Sequence, residues 1–297
     1  MSTGLPSSQG AGRYGVWQRV RRLWAALGSV VFVGFTVWCV IAYRATDEGR
    51  QALATGADGV TVTRGEAHWR FTPASGQPNH PVGLVFFAGS MVDPAAYAPL
   101  ARAVATNGYA VLLMELPWRG VFGGADGAEV LSQAHRAMAQ VPAIHGWVIA
   151  GHSKGGAVAA RFVHENATDV AGLVLIGTSH PRDFDLSGTA VPVTKILGTR
   201  DGVAEVEKSE RNRTKLPASA RWVLIEGGNH SQFGHYGFQP GDWRAAISRE
   251  EQQKQTVAAV VDALQAALKP SSKRGTPESA SNGLRPTPSG KSAPPSP

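Results

Sequence analysis

The segment that most restricts how this chain folds runs from Trp147 to Ala160. Four apolar residues, Trp147-Val-Ile-Ala150, lead straight into Gly151-His-Ser-Lys-Gly155 and then into the small-residue run Gly156-Ala-Val-Ala-Ala160. A short apolar run bounded by glycines reads as a buried strand, and the small residues beyond it suit a helix. Glycines on both sides of Ser153 relieve the crowding of a reversal too sharp for bulkier residues. This strand, turn and helix is the unit of a mostly parallel sheet with helical connections. It exposes the Ser153 hydroxyl at the end of the strand and sets the amide of Lys154 at a helix N-terminus, where it faces developing negative charge.

The pattern repeats along the chain. Apolar runs predict strands at Glu66–Phe71, Val82–Phe87, Tyr109–Glu115, Trp147–Ala150, Gly172–Ile176, Val193–Leu197 and Trp222–Ile225. Helices are predicted at Pro94–Thr106, Ala128–Gln140, Lys154–His164 and Ser248–Leu268. Pro94 opens the first of these and Asn107-Gly108 stops it, while Ser248 followed by Glu251 has the form of a capping box. Few residues separate Ile176 from Val193, too few for a helical lid domain.

From Leu23 to Tyr43 no residue is charged, and about 20 apolar residues at about 1.5 Å rise match the hydrocarbon core of a bilayer. Trp17, Trp24, Trp38 and Tyr43 lie near its ends, as interfacial aromatic residues do. Four arginines precede the run and only Arg44 and Arg50 follow it closely, which places the N-terminus in the cytoplasm and the body outside. A cleaved signal peptide and a buried core helix are the competing readings; Tyr43 and Arg44 at its end and apolar residues on every face speak against them. The chain then divides into a basic cytoplasmic arm (1–22), a transmembrane signal-anchor (23–43), a connector (44–60), a folded domain (61–269) and a Pro/Ser/Lys-rich tail (270–297) expected to be disordered. The formal charge of +7 resides in the arm and the tail, so the body is close to neutral and nucleic acid is not expected as a partner. The single cysteine, Cys39, permits no intrachain disulfide.

Two residues offer themselves as partners for Ser153. The predicted strand Val193–Leu197 ends in Gly198-Thr-Arg-Asp201-Gly202, and Trp222–Ile225 ends in Glu226-Gly-Gly-Asn-His230. An imidazole can take the proton of a serine hydroxyl, and a buried carboxylate can fix that imidazole's tautomer. Asp183 and Asp185 compete with Asp201 for the acid, and His235 competes with His230 for the base. A second oxyanion donor is expected from Gly89-Ser90-Met91, with the amide of Ser90 first and Met91 next. His68, His80, His135, His145, His152, His164 and His180 read as surface or packing residues, and none forms a metal-ligand pattern. Trp118, Phe122, Phe233, Tyr236 and Phe238 read equally as apolar walls near the serine or as loop packing. The side chain of Lys154 is placed to attract an anionic substrate.

Gly151-His-Ser-Lys-Gly-Gly-Ala, the Gly89–Ala101 segment, Gly198-Thr-Arg-Asp-Gly and Glu226-Gly-Gly-Asn-His-Ser-Gln-Phe-Gly together resemble the bacterial "alpha/beta hydrolase fold-5" group, related to dienelactone-hydrolase-like proteins. The likeness spans Thr61 to Leu268. It implies an α/β-hydrolase fold over 61–269, with a mostly parallel sheet, flanking helices and no large lid domain, and Ser153, Asp201 and His230 as a triad in the chain order of that fold. Dienelactone hydrolases use a cysteine nucleophile, so the serine here departs from their reaction. The expected activity is cleavage of a small-molecule or lipid-like carboxylic ester by an acyl-serine route, with neither cofactor nor metal. The alternative is a membrane-tethered binding or scaffold protein that retains the fold without turnover.

Overall fold

The computed structural model of the chain describes residues 11–54, 56, 58–74, 80–166 and 170–269. The tail and the first ten residues of the arm lie outside the described residues. Eight strands, β1 (Thr61–Arg64), β2 (His68–Thr72), β3 (Val82–Phe87), β4 (Val111–Met114), β5 (Gly146–His152), β6 (Val170–Ile176), β7 (Val193–Gly198) and β8 (Arg221–Ile225), form one sheet. Their order is β1-β2-β4-β3-β5-β6-β7-β8. β4, β3, β5, β6, β7 and β8 are parallel, and β2 joins β4 antiparallel with β1 outside it. The helices are α1 (Ala11–Ala42), α2 (Asp47–Gln51), α3 (Ala98–Thr106), α4 (Ala128–Ala139), α5 (Lys154–Glu165), α6 (Val206–Glu210) and α7 (Arg249–Leu268).

Successive side chains of a strand point to opposite faces, and this splits the core in two. Leu84, Phe86, Val111, Leu113 and Val148 pack with Leu100 and Val104 of α3 and Val260 and Leu264 of α7. Val85, Phe87, Leu112, Met114 and Ile149 pack with Val130 and Leu131 of α4 and Val158 and Phe162 of α5. β3 and β4 are buried on both faces throughout, which is why they read as unbroken apolar runs. Every loop that follows a parallel strand therefore emerges at one edge of the sheet. No helix interrupts 177–192 between β6 and β7.

Four details depart from expectation. β1 is a largely exposed edge strand of threonines and arginine around Val62, without the apolar alternation that marks a strand in sequence. The helix expected over Pro94–Thr106 begins as a 3-10 turn, Pro94–Tyr97, because Pro99 has no N–H to return to the carbonyl of Ala95. Ser248 caps α7 by accepting from the Glu251 amide at 3.1 Å. The Glu251 carboxylate accepts from Gln255 Nε2 at 2.8 Å, so the capping box is only half formed. The connector holds α2, capped by Thr46 and pressed onto the body where Gly49 meets the backbone of Ala95 and Ala96.

α1 starts well before Leu23 and is long and apolar enough to cross a membrane, with mean hydropathy 2.2 over its most apolar window. Its C-terminal turn is fastened to the body. Cys39 and Tyr43 are buried in the first core layer, and the carbonyls of Ala42 and Tyr43 accept from the amides of Gly237 (2.8 Å) and Asp93 (2.9 Å).

Candidate active site

Ser153 sits between β5 and α5 with φ 54° and ψ −119°, a backbone conformation that non-glycine residues adopt only when their surroundings enforce it. The enforcement is visible. A Cβ on Gly155 would collide with the carbonyl oxygens of Phe87 and Ala88, and one on Gly156 would meet the Thr178 side chain. The Ser153 amide donates to Ile176 O at 3.0 Å and its carbonyl accepts from Gly156 at 3.0 Å. The side chain is left half-buried at the C-terminal edge of the sheet.

Asp201 follows β7 and is buried. Its Oδ1 accepts from the amides of Val203 (2.9 Å) and Ala204 (2.6 Å), and its Oδ2 lies 2.8 Å from Nδ1 of His230. That contact leaves Nε2 as the nitrogen free to act, and Nε2 is buried without a hydrogen-bond partner in this structure. The Ser153 hydroxyl therefore does not bond to it here. Of the competing acids, Asp183 is exposed, and Asp185 is exposed with its Oδ1 accepting from Ser187. His235 instead ties its backbone to Thr46 and Ala96.

The expected oxyanion donors differ in availability. The Met91 amide donates to Arg119 O at 2.7 Å and is spent. The amides of Ser90 and Lys154 have no partner among the described residues. The Lys154 ammonium reaches Asp126 Oδ1 at 2.6 Å, so this charge is already paired rather than free for an anionic substrate. Phe233 and Tyr236 are fully buried packing residues, whereas Trp118 and Phe122 are 78 % and 95 % exposed and stand on the rim instead of lining a wall.

Three residues beside the site have contacts that a sequence reading does not give them. Asp242 is buried and gathers five donors: Oδ1 accepts from the amides of Gly202 (3.3 Å), His230 (3.1 Å) and Trp243 (2.9 Å), and Oδ2 from the amide and hydroxyl of Ser231 (both 2.8 Å). It fixes the backbone that carries His230. Tyr97 Oη accepts from the Gly89 amide at 3.1 Å and is hydrogen-bonded to His152 Nδ1 at 2.8 Å, so the phenol ties the Ser90 loop to the residue before the serine. Burial and the neighbouring His230 hold His152 well below the usual histidine range, and the two rings stand 4.4 Å apart. Of the two places expected for His152, surface or packing, it takes the second, and it packs against the candidate base itself. Only Tyr97 and His152 carried any signal, through their places in the Gly89–Ala101 and Gly151–Gly155 segments.

Asn229 joins this framework. Its amide and carbonyl exchange bonds with the Gln252 side chain, and its Nδ2 donates to Trp243 O. Asn229-His-Ser231 has the N-x-S form of a glycosylation acceptor, and here it is buried with its side-chain amide already engaged.

Against this geometry, the sequence profile of the Alpha/beta hydrolase family matches residues 83–254, more than half of the chain. The chain belongs to the alpha/beta hydrolase family. The fold is shared with a predicted CIB-like hydrolase from Thermoplasma acidophilum (TM-score 0.53, 14 % identity, covering 69 % of this chain and 100 % of that one). A bacterial heroin esterase gives TM-score 0.53 at 18 % identity, covering 73 % of this chain and 88 % of its own. Dienelactone hydrolase from Anabaena variabilis gives 0.51 at 18 % identity, with coverages of 69 % and 99 %. At these identities the likeness is one of fold. No curated protein matches the chain by sequence.

Proposed function

We propose that this alpha/beta hydrolase is a membrane-anchored serine hydrolase that cleaves a carboxylic ester through an acyl-serine intermediate. The observation that carries the reading is the buried Asp201–His230 contact at 2.8 Å on the loops beside a serine held at φ 54°. Asp201 keeps the proton of His230 on Nδ1, so Nε2 accepts the hydroxyl proton as Ser153 Oγ adds to the ester carbonyl. The oxygen of the tetrahedral intermediate takes hydrogen bonds from the amides of Lys154 and Ser90, which need no reorganisation to meet it. Collapse expels the alcohol, which takes the proton from Nε2. Water then repeats the sequence on the acyl-serine, releasing the acid and restoring Ser153.

The anchor in this reading is residues 23–43, with the arm in the cytoplasm and the hydrolase domain of 61–269 outside, in keeping with the arginine bias. External protease on intact cells should reach the body; protection would reverse the topology.

A fluorophosphonate probe tests the chemistry. The full chain should form one phosphonyl adduct, located on Ser153 by mass spectrometry. Ser153→Ala should abolish the adduct and lower kcat by about 10³-fold or more. If the wild type stays unlabelled under conditions where a known serine esterase reacts, the proposal fails.

A further inference from the structure

Outside α1, the large apolar side chains exposed among the described residues are Met91, Trp118, Phe122, Leu224, Phe238 and Trp243. Leu224 lies on β8, the edge strand. The other five all stand on loops beyond the C-terminal ends of β3, β4 and β8, the edge that holds Ser153 and His230. Apolar side chains scattered over a surface need no explanation, but a set gathered around one rim marks an interaction surface. Trp118 and Phe122 stand at the tip of one loop, both strongly exposed. Both have φ near 50°, and Gly120 and Gly123 beside them have φ of 76° and 77°, so the loop turns sharply at each ring.

The same rim is where α1 ends. Asp93 donates its amide to the Tyr43 carbonyl at 2.9 Å, while its carboxylate faces the guanidinium of Arg119 at 3.4 Å, the residue next to Trp118. The carbonyls of Ala42 and His235 and the amides of Gly237 and Thr46 fasten the other side of the helix end to the loop that follows His230. The body also overlaps the apolar helix. Cys39, buried by the body at 5 % exposure, precedes Ala42 by three residues, which at the rise of an α-helix places it about 4–5 Å inside the helix end. A body that covers the last turn of a membrane helix has its contacting rim at the depth of the headgroups and first methylenes, where tryptophan and phenylalanine side chains partition.

We infer that the catalytic edge faces the leaflet from which α1 emerges, with Trp118 and Phe122 set into its interface, and that the ester taken by Ser153 is the acyl ester of a lipid residing in that leaflet. The occupant of the apolar rim is the bilayer itself, because the anchor delivers the rim to it. The substrate half of this inference rests on the serine hydrolase reading above; the docking half does not.

The full chain is reconstituted in phosphatidylcholine/phosphatidylglycerol vesicles, and an environment-sensitive fluorophore is attached at Phe122→Cys or Leu224→Cys in a Cys39→Ala background. Lipids brominated high on the acyl chain should quench the label at position 122 and leave that at 224 near its unquenched intensity. Equal quenching at the two positions overturns the docking. The second arm compares hydrolysis of a long-chain acylglycerol carried in the vesicles with that of water-soluble p-nitrophenyl acetate. In Trp118→Ser/Phe122→Ser, whose exposed sites leave the core untouched, the ratio of vesicle-borne to soluble rates should fall roughly tenfold or more. Soluble turnover with an unchanged ratio overturns delivery from the leaflet and leaves the hydrolase reading standing. Quenching at 122 with no turnover of either ester and no fluorophosphonate adduct overturns the hydrolase reading, and lipid-ester cleavage with it, while the docking stands.

Discussion

Asp242→Asn isolates the framework that carries His230. The amide oxygen replaces Oδ1 and keeps the donors Gly202, His230 and Trp243, now as neutral bonds; the NH2 replaces Oδ2 and meets the Ser231 amide head-on, where 2.8 Å separates the partners in the native protein. The Ser231 hydroxyl can turn and accept. Two buried donors, the Ser231 amide and one hydrogen of the new NH2, are thus left facing each other, at about 1–3 kcal/mol each before relaxation, and loss of charge assistance over three bonds adds about 0.5–1 kcal/mol each. With local relaxation the expected cost is about 3 kcal/mol, which for a domain of this size lowers Tm by roughly 6–12 °C. The assay is thermal unfolding of the full chain in detergent, followed by near-ultraviolet circular dichroism. The second readout is the rate of fluorophosphonate labelling below Tm, expected to fall by about 10²-fold because His230 is displaced while the Ser153 hydroxyl remains. A Tm within about 2 °C of wild type would refute the count of buried donors. A normal labelling rate in a destabilised variant would refute the assignment of Asp242 as a positioning residue.

Tyr97→Phe removes the hydroxyl that joins Gly89 to His152; a loss of about 1–3 kcal/mol in stability should come with a fall in kcat larger than any change in KM, since the Ser90 amide loses its support. Equal effects on kcat and KM would show that the Ser90 loop holds its place without the phenol. Lys195, buried on β7 with Nζ donating to His180 O at 2.5 Å, is held down from 10.5 to about 7 by burial and by Arg182. Between those values the unfolded chain binds more protons than the folded one, so this lysine makes stability rise with pH from about 7 toward 10.5 and adds nothing to the slope below about 7. Lys195→Met should flatten that rise and raise stability at about pH 7; urea midpoints that climb as steeply in the variant as in the wild type would refute the assignment.

How much of this was legible follows from where the physical constraint acts. The elbow at Ser153 was readable because its requirement is local: the glycines that admit the turn stand two residues to either side of the serine, and the strand and helix flank it directly. Asp201 and His230 were readable because each lies just past an apolar strand, and in a parallel sheet all such positions share one edge. Asp242 gave no signal, for its role is to accept from Gly202 on another loop and from His230 and Ser231 more than ten residues back on its own, and an acid before tryptophan in a polar stretch looks like any solvated carboxylate. Position in the chain favours Asp201 and His230 over the competing acids and His235, and burial and partner geometry add what position lacks: Asp183 and Asp185 are exposed, whereas Asp201 is buried against His230. The helix end taught the converse lesson. Read alone, Leu23–Tyr43 is an anchor and 44–60 a tether, two statements about the membrane with none about the site. Folding closes Tyr43 onto Asp93 and Ala42 onto Gly237, so the candidate membrane span is joined to the loops beside Ser90 and His230. On the membrane reading proposed above, depth in the bilayer and access to the serine become one geometric variable, fixed by backbone hydrogen bonds that no pattern of residue types encodes.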